Sequence, residues 1–338
     1  MQWKTPAWAL MLTFAIASTL PAMAGGVSSL NLVPKDSFVV AQIRLGDLRS
    51  NPMSARLFEE TDKVCAGEAS EFLAKAGLDP KKDVDLIVVC ASPGPGADAE
   101  PRILVAAEGR FQLQLLADAA LAKGGIMRKT GSGSYYRLPM KDIKDKKDDE
   151  PGAVAFVDSH LILAGSEPAV AAALVSMSSG GTGFTTGQGL GKDLSRIWPD
   201  AAAWALVDAT EQNRFMHAGK TPAGPTPGGA GSEGAAAGIV SAMKSVTRVV
   251  LQAAVTGDAV KFSATGLIPD EETRKLLEDT LRGLTALWRM SVQEKSPEMV
   301  SLIRKFEILR DAESVSVTGT LPQDLISKLS SETKKATQ

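Results

Sequence analysis

The chain has 338 residues, of which 44% are hydrophobic, 22% charged and 5% aromatic, and its formal net charge is −2. This balance excludes a disordered chain and leaves no positive surplus with which to bind the phosphates of a nucleic acid. Two cysteines and two histidines are too few for a disulfide scaffold or a Cys-rich zinc site. We therefore expect a folded protein with no nucleic-acid partner, no metal and no cofactor.

The first 24 residues have the pattern of a secretory signal peptide. Lys4 supplies a positive start, the apolar run 7–20 follows, and Ala22-Met23-Ala24 forms an A-x-A cleavage site. The apolar run has about 14 residues, whereas a membrane-spanning helix needs about 20, so an uncleaved anchor is the weaker interpretation. We predict cleavage after Ala24, a periplasmic or secreted location for a bacterial protein, and no stable membrane span in the mature chain.

Export into an oxidising compartment would allow Cys65 and Cys90 to form a disulfide bond. A disulfide between them would close a loop of about 25 residues and stabilise the fold by roughly 3 kcal/mol. The alternative is two buried free thiols, because sequence spacing does not show whether the two Cα atoms approach within about 7 Å. Both possibilities stay open from the sequence.

Apolar runs and helical periodicity predict alternating strands and helices over residues 25–185. In chain order we predict strand 38–45, helix 52–76, strands 84–91 and 102–108, helix 111–122, strand 134–139, the hairpin 153–157 with 161–164, and a helix after Ser166. Gly77 is the expected C-terminal stop of helix 52–76. The run 141–151 mixes both signs of charge, which is typical of a solvated loop.

Residues 186–338 repeat this order of elements. The predictions are strand 202–207, a helical stretch, the Gly/Pro-rich insertion 219–234, a helix ending near Lys244, the hairpin 246–255 with 260–267, an amphipathic helix 270–292, a helix from Ser296, strands 306–309 and 315–318, and a helix from Gln323. Short hairpins imply antiparallel pairing. We predict an α+β fold of two similar units, 25–185 and 186–338, each with helices packed on a mostly antiparallel β-sheet. The units either share one sheet or form separate lobes.

Two strings approach known catalytic motifs and depart from them. The run 186–193 resembles a phosphate-binding P-loop, but Thr186 replaces its first glycine and Asp193 replaces its Ser/Thr. The S-x-x-K string 241–244 and the K-T-G string 129–131 occur in the reverse of the order found in penicillin-recognising enzymes. We interpret the first as a glycine-rich loop and the second pair as chance.

The remaining candidates favour a structural interpretation. His160 falls in a predicted hairpin turn and His217 lies beside the insertion, so both are expected to be solvated. The carboxylates of 145–150 are interleaved with lysines, which argues against a calcium site. Tyr135-Tyr136 could line a binding surface, but packing within a strand is favoured. We therefore assign no catalytic, cofactor-binding or metal-ligating residue.

Three short strings carry a resemblance, namely Val33-Pro34-Lys35-Asp36, Asp83-Val84-Asp85 and the run 161–166. Together with the signal peptide, this pattern resembles exported bacterial proteins of unknown function, a group that implies no activity. The sequence favours a non-enzymatic binding or assembly module of the cell envelope, whose partner is an unknown envelope protein or ligand. The alternatives are an envelope hydrolase with unmarked carboxylate or serine chemistry, and a chaperone- or inhibitor-like protein that uses a strand edge.

Overall fold

The structure is a computed structural model, and it describes residues 28–49, 51, 68–96, 99–131, 133–139, 151–181, 184–211, 245–293, 300–301 and 303–322. The predicted signal peptide, most of the predicted helix 52–76, the insertion 219–234 and the predicted helix from Gln323 lie outside these residues.

Within them the fold is α+β and is built on one antiparallel sheet. The strands are β1 (Val39–Ile43), β2 (Val84–Ser92), β3 (Arg102–Gly109), β4 (Ile126–Thr130), β5 (Gly133–Leu138), β6 (Gly152–Asp158), β7 (Leu161–Ser166), β8 (Ala203–Asp208), β9 (Arg248–Thr256), β10 (Ala259–Leu267), β11 (Glu307–Arg310) and β12 (Ser314–Pro322). The described α-helices are α1 (Leu45–Leu48), α2 (Glu68–Lys75), α3 (Pro80–Asp83), α4 (Leu113–Ala122), α5 (Glu167–Ser178) and α6 (Glu271–Gln293). Three 3-10 helices, Ser29–Leu32, Phe184–Thr186 and Gly189–Arg196, complete the described elements.

The strand order is β11-β12-β10-β9-β8-β1-β2-β3-β7-β6-β5-β4. The first and second halves of the chain meet where β1 pairs antiparallel with β8, in a register that places Ala41 opposite Ala205. The question left open by the sequence is thus answered in favour of one continuous sheet. Outward from this junction the order is β2, β3, β7 on one side and β9, β10, β12 on the other, an arrangement compatible with the predicted duplication, which stays a prediction.

The sheet is covered on both faces in its first half. Ile162 and Leu163 of β7 belong to different clusters of buried side chains, because successive side chains of a strand point to opposite faces. The Leu163 cluster packs under α5 and the 3-10 helices and extends across the junction to Leu206. The Ile162 cluster packs under α4. In the second half, α6 covers a separate cluster that includes Leu277 and Val315.

Local sequence signals predicted the bounds of most described strands and α-helices to within a few residues. The hairpin of β9 and β10 turns at Gly257, whose φ is +58°, and Gly77 follows α2 with φ +63°. One strand was missed altogether: β4 was not predicted, and it forms one of the two edges of the described sheet. The predicted boundary between 185 and 186 falls inside the 3-10 helix Phe184–Thr186, and Phe184 and Leu190 share one cluster.

Candidate functional site

The two edges of the described sheet differ in how they are covered. At the β11 edge, α6 packs alongside the strand: the Arg282 guanidinium donates to the Ile308 carbonyl at 3.1 Å, and Arg310 Nε lies 2.8 Å from the Glu278 carboxylate. The hydrogen bond from Arg282 therefore occupies one backbone carbonyl of the edge strand, that of Ile308.

The opposite edge, β4, pairs only with β5 among the described strands. Four of its five residues are exposed, and the side chains of Ile126 and Met127 are 56% and 52% exposed. The described residues supply no helix side chain that caps this edge in the way that Arg282 caps β11. An edge strand presents unpaired N–H and C=O groups on its outer side, so β4 has the backbone chemistry to accept a further strand.

The side chains of β4 combine apolar and basic groups on both faces. Arg128 lies opposite Tyr135 and Met127 opposite Tyr136, so each face of the edge carries one large apolar and one basic side chain. Neither Arg128 nor its neighbour Lys129 forms an ion pair with a described residue. The side chains along the edge are therefore positive and have no acidic partner within the described part of the chain.

Glu167 is the carboxylate that approaches this region, and it is already engaged. It accepts a hydrogen bond from the Tyr135 hydroxyl at 2.9 Å and lies 3.2 Å from the Arg137 guanidinium. Tyr135 is buried in the cluster under α5, whereas Tyr136 packs against Phe156 on the other face with ring centroids 5.6 Å apart. The favoured interpretation of this tyrosine pair as strand packing agrees with these positions.

The sequence contains a signal for the hairpin of β4 and β5. The hairpin turns at Gly131, whose φ is +46°, between Ile-Met-Arg-Lys-Thr and Ser-Tyr-Tyr-Arg-Leu. Both runs contain residues that suit strands, but β4 has no clean alternation of apolar and polar positions. The K-T-G string 129–131 is simply the end of this strand and its turn.

The P-loop-like run 186–193 forms part of a packed structural segment. Asp193 is 4% exposed, and its carboxylate pairs with Arg248 at 2.9 Å and with Arg196 at 3.4 Å. A Cβ on Gly191 would lie 1.9 Å from the Phe184 carbonyl oxygen. Close packing therefore accounts for Gly191, and ion pairing accounts for Asp193. These roles agree with the interpretation of 186–193 as a glycine-rich loop that does not bind phosphate.

Among the described residues Cys90 has no disulfide partner; it is buried in the cluster beneath α5, and burial raises the pKa of its thiol from 9.0 to about 11. Cys65 lies outside the described residues. Ala76, directly after α2, packs in the cluster on the opposite face of the sheet from Cys90. The disulfide between Cys65 and Cys90 stays a prediction.

His160 sits exposed in the turn between β6 and β7, with Nδ1 3.0 Å from the Ser159 hydroxyl, as the sequence predicted. The other histidine, His217, and the strings 145–150 and 241–244 lie outside the described residues. Among the residues described, no three His, Cys, Asp or Glu side chains are grouped as metal ligands.

Each of two surface cavities, of about 590 Å³ and 470 Å³, contains a carboxylate that is paired with an arginine. In the larger, Asp36 lies 3.6 Å from Arg102; in the smaller, Arg44 lies 2.9 Å from Asp47. Hydrogen bonds to the charged form lower the pKa of Asp79, Asp270 and Glu278. At Asp311 burial raises the pKa, but hydrogen bonds from Glu313 and Ser314 outweigh it and the net pKa is lowered. A general acid at neutral pH needs the opposite shift.

Comparison with known proteins adds a distant structural likeness. No protein-family model matches the chain, and no curated protein matches it significantly. Three crystal forms of TP0453, a lipoprotein of Treponema pallidum, are similar at 8% identity, with TM-scores of 0.44, 0.46 and 0.43. They cover 90–91% of this chain and 96–99% of TP0453. No residue role is carried over at this distance.

Within the described residues, every helix is too short or too polar to cross a bilayer.

Proposed function

We propose that this protein is an exported, non-enzymatic binding module of the bacterial cell envelope that takes an extended acidic segment of a partner protein onto β4. The observation that carries the proposal is the β4 edge, which pairs only with β5 among the described strands and whose Arg128 and Lys129 form no ion pair with a described residue. Backbone hydrogen bonds to the edge would supply affinity, and alternate side chains would supply specificity.

The charge of the edge selects the kind of partner. A second copy of β4 is a poor partner, because symmetric antiparallel pairing about Arg128 would place like charges opposite each other. An incoming strand with two adjacent acidic residues would present one to Arg128 on one face and one to Lys129 on the other. Apolar neighbours in that strand would contact Ile126 and Met127, which are more than half exposed.

The envelope location in this proposal rests on the signal-peptide pattern of residues 1–24. The two-unit organisation is also part of the proposal. It is supported by the matched strand orders on either side of the β1–β8 junction and by the equivalent positions of β7 beside β3 and β12 beside β10. On this view β11 beside β12 corresponds to β6 beside β7, so the first unit carries the additional strands β4 and β5 and therefore the binding edge.

The test measures fluorescence anisotropy of a fluorescein-labelled peptide, Thr-Val-Glu-Asp-Val-Thr, titrated with the full mature chain. We expect saturable binding that weakens with salt, and no binding of the same peptide with both acids replaced by lysine. The variant Arg128→Glu/Lys129→Glu should lose at least tenfold in affinity, about 1.4 kcal/mol, because two attractions become repulsions. Amide hydrogen exchange should slow in β4 when the acidic peptide is bound.

The matched control is Arg304→Glu/Lys305→Glu, which makes the same charge change at an exposed Arg-Lys pair away from β4. It should bind the peptide as the unmodified chain does. The proposal is wrong if the acidic peptide does not bind, if both double variants lose affinity equally, or if exchange slows elsewhere than in β4. Circular dichroism establishes that each variant is folded.

A further inference from the structure

Helix α6 has an inner apolar face that the sheet covers. Leu277 is buried with Ile308 and Val315, and Leu281 packs against the same cluster. Trp288 approaches Phe306 at 6.1 Å between ring centroids. These contacts fix the helix on β11 and β12 and determine which of its sides faces outward.

A second apolar line runs along the outer side of α6. We call it the outer stripe, and it consists of Leu276, Thr280, Gly283, Leu287 and Met290. Its three large side chains, those of Leu276, Leu287 and Met290, are 49%, 60% and 61% exposed. The positions are spaced four, three, four and three residues apart, which is the repeat by which one helix packs against another in a coiled coil.

The outer stripe is self-complementary under a twofold axis at its centre. Gly283 lies beside the midpoint of α6, and no atom lies within 4 Å of where its Cβ would be. Leu276 and Met290 are each seven residues from Gly283. If two helices cross antiparallel at Gly283, Leu276 of one lies beside Met290 of the other, and the small central residues allow a close approach.

The charges beside the outer stripe favour the antiparallel direction. The first turn of α6 carries Glu271 and Glu272. Parallel pairing would bring two such acidic turns together, whereas antiparallel pairing separates them by about the length of the helix, roughly 34 Å. Asp279 would then lie beside Ala286 of the second copy, so no like charges meet at the centre.

We infer that the outer stripe is a homodimer interface in which α6 of two copies packs antiparallel about Gly283. This site lies at the opposite end of the sheet from β4, so it can form or fail independently of peptide binding. The stripe is narrow compared with permanent dimer interfaces, and we expect a concentration-dependent dimer with a dissociation constant on the order of micromolar.

The first experiment measures the mass of the full mature chain by light scattering over a wide concentration range. Leu287→Glu should weaken dimerisation at least tenfold, because it places a charge in the apolar seam. The matched control is Leu121→Glu, the same substitution at a leucine of α4 that is 52% exposed; it should leave dimerisation unchanged. A monomer at every concentration, or equal loss in both variants, overturns the proposal.

The second experiment tests the direction of packing by mild oxidation of cysteine variants. Gly283→Cys should form a disulfide-linked dimer, and Leu276→Cys should not, because its neighbour is Met290 of the other copy. The double variant Leu276→Cys/Met290→Cys should cross-link, and the unmodified chain controls for native thiols. Cross-linking of Leu276→Cys alone would overturn the antiparallel arrangement. Flotation with phosphatidylcholine–phosphatidylglycerol vesicles tests a lipid surface as the alternative occupant. If the chain is strictly monomeric, floats with the vesicles and no longer floats as Leu287→Glu, the occupant is a lipid surface and the dimer is refuted.

Discussion

Gly165 is a position where one added methyl group should strongly destabilise the sheet. It lies within β7, paired with Leu104 of β3 and Ala153 of β6, and its φ is +147°. A Cβ at this position would lie 2.0 Å from the carbonyl oxygen of Ile103, far inside van der Waals contact. Because the obstructing atom belongs to the backbone of a neighbouring strand, no side-chain rotation relieves the overlap.

The expected cost of Gly165→Ala follows from two contributions. An L-residue held at this positive φ costs roughly 1–3 kcal/mol. Moving β3 away from the new methyl group breaks one or two ladder hydrogen bonds, each contributing about 1 kcal/mol. We therefore expect a loss of about 2–5 kcal/mol in the free energy of unfolding, a large part of the stability of an ordinary domain.

The assay is equilibrium unfolding in urea, followed by circular dichroism and tryptophan fluorescence. The matched control is Gly257→Ala in the β9–β10 turn, where φ is +58° and no atom lies within 4 Å of the Cβ position. That variant has the dihedral strain without the overlap, and it should lower the free energy of unfolding by about 1–2 kcal/mol. If the two variants are destabilised equally, close approach of Ile103 is not what requires glycine at 165.

Two further predictions concern Cys90 and the N-terminus. Burial raises the pKa of the Cys90 thiol from 9.0 to about 11. As the pH rises, the thiol therefore ionises in the unfolded chain before it ionises in the folded chain. The stability that the neutral buried thiol contributes is complete below pH 9 and is lost by about pH 11. The stability difference between the unmodified chain and Cys90→Ala should shift by about 2–3 kcal/mol over that range, and a pH-independent difference would contradict it. N-terminal sequencing of protein from an envelope fraction should begin at Gly25; a chain that still begins at Met1 would contradict cleavage after Ala24.

Local patterns in the sequence were sufficient for elements whose contacts are close in the chain. The hairpin of β9 and β10 is specified by alternating apolar runs around Gly257-Asp258, and α6 by its acidic first turn and helical periodicity. These signals act within a few residues, and together they determined an α+β protein with antiparallel pairing.

The glycine at 165 shows where this reasoning was incomplete. The predicted strand 161–164 ended just before Gly165, but this glycine lies inside β7 and makes room for the backbone of β3. The neighbour that imposes this requirement is Ile103, more than sixty residues earlier in the chain. Periodicity carries no information about such a partner.

The sequence by itself therefore determined the fold class, most described strands and helices, and the absence of a recognisable catalytic motif. Only the tertiary structure decided that β1 and β8 join the halves into one sheet, and that β4 has no second neighbour among the described strands while Arg282 contacts the opposite edge at β11. The physical reason is that strand neighbours and exposed edges depend on pairing between distant segments. The sequence shows the sign of each side chain's charge, but only the tertiary structure shows whether an opposite charge lies beside it.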